Sequence, residues 1–113
     1  MQYQLMKIRD ALVSIDGLRV YHYWRTKLEA PYCVWQEDGE GSSLWGSNHQ
    51  QEQVITGTID YFTKVEFDEN VELIQEALND LENCGWNLNN VDYEDETNLI
   101  HYTWDFQIIW NIV

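Results

Sequence analysis

The apolar positions of this chain change period three times, between about 3.6 and 2 residues. Leu5, Ile8, Leu12 and Ile15, with Val13 beside them, recur every three or four residues and predict a helix over residues 4–16. Gly17 stands where a left-handed residue ends a helix, and Leu18 is then placed to contact Val13. Bulky and β-branched residues predict a strand over 18–24, followed by a connection over 25–30. Pro31 opens a second strand over 32–37, with Tyr32, Val34 and Gln36 on one face and Cys33 and Trp35 on the other. Residues 38–51 read as a long loop holding Gly39, Gly41, Gly46, Leu44 and Trp45. A loop of that length is usually functional or mobile, and Trp45 is its candidate docking tip.

The second half repeats the logic. Residues 52–63 alternate as a long strand, in which Gly57 suggests a bulge or a bend. Asp68 is a good N-cap for a helix over 69–83, whose stripe is Val71, Ile74, Leu78 and Leu81 with Ala77 beside it. Glu69, Glu72, Glu76, Asp80 and Glu82 lie outside that stripe. Gly85 is expected to end the helix, with Trp86 folding back on Leu81. A strand over 86–94 has Leu88 and Val91 out of phase, which implies a bulge near Asn89 and Asn90. A hairpin turn over 95–98 leads to a strand over 100–109. That strand places Ile100, Tyr102, Trp104, Phe106 and Ile108 on one face and His101, Thr103, Asp105 and Gln107 on the other.

The element order is α-β-β-β-α-β-β. Strands are grouped, not alternated with helices, so the fold class expected is α+β: a mostly antiparallel sheet of four to five strands with two helices packed on one face. Leu5, Ile8, Leu12, Ile74, Leu78 and Leu81 are the expected helix contributions to the core. At 113 residues, the chain is one domain over 1–113. No apolar run reaches the length of a membrane helix, and Met1-Gln2-Tyr3-Gln4 does not have the shape of a signal peptide, so no membrane association is expected.

Charge changes the picture more than composition does. The formal net charge is -14. It is split: Lys7, Arg9, Arg19, Arg25 and Lys27 against Asp10 and Asp16 give +3 over residues 1–27, while Lys64 against eighteen acids gives -17 over 28–113. Direct nucleic-acid binding draws on basic groups that displace counterions, and this balance argues against it. It suits a molecule with a basic end and an acidic end, whose copies could stack head to tail.

Candidate chemistry is sparse. His22, His49 and His101 are far apart; His22 and His101 fall in strands and could be neighbours across the sheet, but no activated Ser or Cys accompanies them. Glu37, Asp38 and Glu40 around Gly39 lack calcium-loop spacing, and Glu94-Asp95-Glu96 is an ordinary acidic turn. Cys33 and Cys84 have no metal spacing and read as reduced, buried hydrophobes. The expectation is no active site, no metal and no cofactor. The apolar end from Ile108 to Val113 is either tucked into the sheet or paired with a neighbouring subunit, and the subunit contact is favoured.

One stretch adds a resemblance. Val54-Ile55-Thr56-Gly57-Thr58-Ile59-Asp60-Tyr61-Phe62-Thr63-Lys64 runs through Glu66-Phe67-Asp68 into the helix starting near Glu69, with two aromatic strands after it. This order resembles small neck and tail proteins of tailed phages and prophages of Gram-positive bacteria, of the tail-terminator or minor capsid (head-tail joining) kind. It covers residues 8–104. The resemblance implies a structural virion protein, made in the host cytoplasm, that assembles with itself as a homo-oligomeric and possibly hexameric ring and contacts tail-tube and neck or connector proteins. Arg19, Arg25, Trp45 and Trp110 are the candidate interface residues. The alternative function is an acidic DNA mimic that inhibits a nucleic-acid enzyme.

Overall fold

The computed structural model describes residues 2–24, 29–40 and 52–111, and at 40, 52, 110 and 111 it describes the backbone. The order of elements is α1 (Gln2–Val13), β1 (Arg19–His22), β2 (Tyr32–Glu40), β3 (Glu52–Thr63), α2 (Glu69–Asn79), β4 (Cys84–Glu94) and β5 (Leu99–Asn111). The fold is α+β, with one five-stranded sheet in the order β1-β2-β3-β5-β4. Its pairs are antiparallel except β1 with β2, which run parallel.

The centre of the sheet is the pair of longest strands. β3 and β5 stay in register from Glu52 opposite Asn111 to Thr63 opposite Ile100, without a shift. Alternation then decides the faces. Cys33, Trp35, Ile55, Ile59, Tyr61, Trp104, Phe106 and Ile108 join Leu5, Ile8, Leu12, Ile74 and Leu78 in the core. Leu81 is half-buried and packs against it. The helices thus cover one face. On the other face stand Thr56, Thr58, Asp60, Thr103, Asp105 and Gln107, the polar half of the same alternation.

Several local features differ from the sequence reading. α1 stops at Val13, and Ser14 Oγ donates to the Ala11 carbonyl at 2.6 Å. Gly17 is left-handed at φ 77°, yet it closes a turn beyond the helix, with Leu18 N donating to Ile15 O. Leu18 therefore turns into the core, while Val13 faces solvent. α2 is likewise shorter than expected. Asp80 N donates to Glu76 O at its end, and the left-handed residue is Asn83 at φ 60°, not Gly85. Asn tolerates that region because its short polar side chain can bond locally. Gly85 is a strand residue opposite Gln107, and Trp86 Nε1 donates to Asn79 Oδ1 at 2.8 Å. β1 ends at His22 because Tyr23 turns to φ 73°. β2 continues through Glu40, into the expected loop, and the rest of that segment, residues 41–51 with Trp45, lies outside the described residues.

Gly57 is not itself a bulge. The irregularity lies across from it in β2, between Glu37 and Gly39. A Cβ at Gly57 would strike both the Gln36 carbonyl and the Phe106 ring, so glycine is there for close approach. The bulge expected near Asn89 is present, between Leu88 and Asn90, and Asn89 Nδ2 donates to Asp105 Oδ2 at 2.6 Å. The hairpin turn over 95–98 is also present, with Asn98 N donating to Glu94 O. The apolar C-terminal stretch is part of the sheet as far as Asn111, with Ile108 buried. Pairing within its own chain, not with a neighbour, accounts for its backbone there.

Two substitutions test this packing. Leu78→Ala removes a fully buried side chain from α2 and should cost about 2–5 kcal/mol in denaturant unfolding. Gly57→Ala should cost about 1–3 kcal/mol by overpacking against Phe106, and trimming Phe106 in the same chain should recover part of that loss. An unchanged unfolding midpoint for either single variant contradicts the packing.

Candidate functional site

The structure arranges the polar chemistry into three clusters. The first is the joint between β3 and α2. Asp68 sits at the N-cap in extended conformation and accepts from Asn70 N at 2.9 Å. Its other oxygen accepts from Tyr61 Oη and from Thr63 Oγ1, both at 2.6 Å. Asn70 Nδ2 donates to Tyr61 Oη at 2.9 Å, and Val65 N donates to Thr63 Oγ1. Desolvation works to raise the Asp68 pKa, but the hydrogen bonds from Thr63, Tyr61 and the Asn70 backbone outweigh it and hold the carboxyl below its ordinary value. The Tyr61 hydroxyl is pushed upward by burial and by its bond to Asp68. This cluster is a structural clamp: each donor is used inside the chain.

The second cluster lies on the sheet face opposite the helices. His101 Nε2 is 2.8 Å from Asp60 Oδ1, and Thr103 Oγ1 donates to the same oxygen at 3.0 Å. Glu94 Oε1 lies 3.7 Å from His101 Nδ1. Phe62 stacks on His101 with centroids 4.1 Å apart, and Tyr32 stacks on Phe62 at 4.7 Å. The row follows from register, since Tyr32, Phe62 and His101 are direct cross-strand partners. Thr103 Oγ1 is also 3.3 Å from His101 Nε2, but Asp60 Oδ1 stands closer to both groups, so the carboxylate competes with the ring nitrogen for the hydroxyl proton.

The third cluster is on the helix side of the β1 edge. His22 stacks on Trp35 with centroids 3.9 Å apart, and its Nε2 lies 2.7 Å from Glu37 Oε1. Desolvation raises the Glu37 pKa, but hydrogen bonds from His22, its own backbone and Tyr23 bring it below the ordinary value. The Trp35 indole N–H is buried with no acceptor among the described residues.

His22 and His101 are thus not neighbours. β2 and β3 separate their strands, and the two rings are on opposite faces of the sheet. His49 lies outside the described residues. Among the described residues, no group of three His, Cys, Asp or Glu side chains is placed to hold a metal ion. Cys33 is fully buried, with its thiol pushed up by burial and by the nearby Asp60 charge; burial raises Cys84 to about 11. Both are free thiols.

Of the expected interface residues, Arg19 begins the edge strand β1. It is half engaged within the chain, donating to the Glu29 carbonyl at 3.0 Å with Glu29 Oε2 at 3.6 Å. Trp110 lies in β5 opposite Gln53. Arg25 and Trp45 lie outside the described residues, so the four are not brought together as one site. Sequence reading missed a group of exposed apolar side chains: Tyr3, Met6, Trp24, Val65, Phe67, Val91 and Tyr93. The helical spacing of Tyr3, Met6 and Val13 was a visible signal, since it gives α1 a second apolar stripe away from its core face. No helix among the described residues is long and apolar enough to cross a membrane.

Compared with known proteins, the chain matches no protein-family model, and no curated protein aligns with it significantly.

The clamp has a pH signature. The folded-state pKa of Asp68 is lowered, so its contribution to stability is complete above the ordinary carboxylate range and is lost as pH falls through the folded value. Unfolding free energy should therefore drop on acidification below about pH 4, and Asp68→Asn should flatten that limb of the profile. Asp68→Ala should cost about 1–3 kcal/mol near neutral pH, combining a lost cap with unpaired Tyr61 and Thr63 hydroxyls. An Asp68→Asn variant with the parent's acid limb contradicts the assignment.

Proposed function

We propose that the protein is a structural subunit of a phage or prophage particle, a tail-terminator or head-to-tail joining protein that works as a homo-oligomeric ring in the tail or neck. The observation that carries this reading is the separation of charge and apolar surface on a small domain. Lys7, Arg9 and Arg19 stand on α1 and β1 against Asp10, acids outnumber Lys64 in the remainder, and large apolar side chains stand exposed beside both. Unlike patches of this kind favour heterologous contacts between copies, and such contacts make a ring when their rotation closes. The element order, with both helices on one sheet face, agrees with the layout expected of tail-terminator proteins. The three polar clusters also support a non-enzymatic role, because their carboxylates are engaged within the fold by Tyr61, Thr63, His101, Thr103 and His22.

A second reading is supported by α2. Glu69, Glu72, Glu76 and Asp80 are exposed and fall along one stripe of the helix, with axial steps of about 4.5–6 Å. A ladder of carboxylates is what a DNA mimic would present to a nucleic-acid enzyme. Light scattering coupled to size exclusion separates the two. A large symmetric oligomer, or one that forms on tail tubes, supports the ring. A stable monomer or dimer that inhibits a nuclease supports the mimic.

For the ring, self-association should weaken but persist as salt rises from about 50 to about 500 mM, because screening removes steering between exposed charges and leaves apolar contacts. Arg19→Glu should impair assembly at low salt and leave the circular-dichroism spectrum unchanged. Normal assembly of that variant at low salt removes the electrostatic part of the reading.

A further inference from the structure

α1 carries two apolar stripes. Leu5, Ile8 and Leu12 are buried, while Tyr3, Met6 and Val13 are exposed on the opposite side of the same helix. A helix that is apolar on both sides has an outer side that its own domain does not cover. Lys7 borders that outer stripe, with Nζ 5.0 Å from the centre of the Tyr3 ring, and Asp10 lies within it, paired with Arg9 at 2.8 Å.

Elsewhere, the β4–β5 hairpin extends past the start of α2 and leaves part of its helix-side face open. One hollow there is lined by Val91, Tyr93 and Ile100, with Lys64, Glu66, Asp92 and Asn98 at its rim. Beside it, over the next inward position of β5, a second hollow is lined by Phe67, Val71 and Tyr102, with Asp68, Glu69 and Glu72. The rim carries five acids against the one lysine. Phe67 is 91% exposed and has a left-handed backbone at φ 58°. A bulky residue in that region is strained, and nothing among the described residues covers its ring.

We propose that the outer stripe of α1 in one copy seats in this acid-rimmed groove of the next copy, with Lys7 meeting Glu66 and with Tyr3 and Met6 covering Phe67. The inference rests on reading the chain as a self-assembling subunit, and it names the two surfaces that meet. An amphipathic helix laid into an apolar groove is a recurrent recognition mode. Here the groove is acidic and α1 as a whole is net basic, with Lys7 and Arg9 against Asp10, and each leaves apolar side chains exposed in the separate domain. The contact is heterologous, because the two surfaces are different parts of the molecule.

The test is a charge exchange on the full chain, read by sedimentation velocity at low salt. Lys7→Glu and Glu66→Lys should each weaken self-association about tenfold or more, since like charges then meet across the contact. The double variant, which carries the exchanged pair at each contact, should recover most of that loss. Met6→Cys and Phe67→Cys, differently tagged and mixed under mild oxidation, should give a disulfide-linked heterodimer more readily than either gives with itself. Parent-like assembly of Lys7→Glu, no recovery in the double variant, or no preferential heterodimer overturns the contact and leaves the self-assembly reading standing. A parent chain that stays monomeric at its highest soluble concentration overturns both and leaves the groove to a basic helix of another protein. Both exchanged residues are exposed, so an unchanged melting temperature verifies that the variants fold.

Discussion

The carboxylate of Asp68 is the constraint on which the layout of this domain depends. It accepts from the last residues of β3, through Tyr61 and Thr63, and from the first turn of α2, through the Asn70 backbone. A strand and a helix separated by only five residues are thereby held at one angle. That angle lays Ile74 and Leu78 over Ile59 and Trp104, and Gln75 Oε1 accepts from Trp104 Nε1 at 3.1 Å. Each bond contributes modestly, but an unpaired buried donor is expensive, so the cluster penalises alternatives more than it rewards the native state. Phe67, one residue before the cap, bears the consequence: its backbone is left-handed and its ring is turned to solvent.

Covering one face of the sheet determines what remains outside. The central strands alternate, so one side of β3 and β5 is apolar and the middle of the other is threonine, aspartate and glutamine, with the aromatic row of Phe62 and His101 towards one end. The edge strand β4 differs. Its helix-side residues Leu88, Val91 and Tyr93 lie beyond the reach of α2 and are exposed. Large apolar side chains gathered at an edge, next to unpaired backbone groups, are surface that a soluble monomer usually blunts. The bulge at Asn89 and the acids Asp92 and Glu94 blunt it here against uncharged or acidic strands, and leave it open to a basic partner.

Much of this was legible in the sequence because the periods are clean. The core stripes of both helices, the alternation of β5, the Asn89 bulge and the Asp95–Asn98 turn each followed from spacing or residue type. Helix ends were less legible: Gly17 and Gly85 were the obvious stops, but the chain used a turn beyond Val13 in one case and Asn83 in the other. Glycine permits a left-handed residue and does not require one. Gly57 shows the same ambiguity, since a bulge and a close approach both select glycine, and only the position of Phe106 distinguishes them. The parallel pairing of β1 with β2 was not legible, because nothing in a four-residue strand states its direction. The polar clusters depend on register between distant segments. Asp60 and His101 stand 41 residues apart, and no local pattern joins them.

The charge distribution bears on the symmetry of any assembly. Two copies meeting through the same patch would set the acids of the α2–β4 region against themselves, or Lys7 against Lys7. In a chain of net charge -14, that repulsion adds to the general repulsion between copies. A contact between unlike patches avoids both local penalties, and it leaves one free patch on each copy of a pair, the two being of opposite kinds. Such a contact does not stop at two. It continues until the rotation between neighbours closes a ring, or it runs on as a filament. In the proposed contact, closure would be fixed by the angle between α1 and the groove at the start of α2. Both are packed on one sheet face, and the groove edge is held by the Asp68 clamp. The same carboxylate that orients α2 within a subunit would in this way also fix the rotation from one subunit to the next.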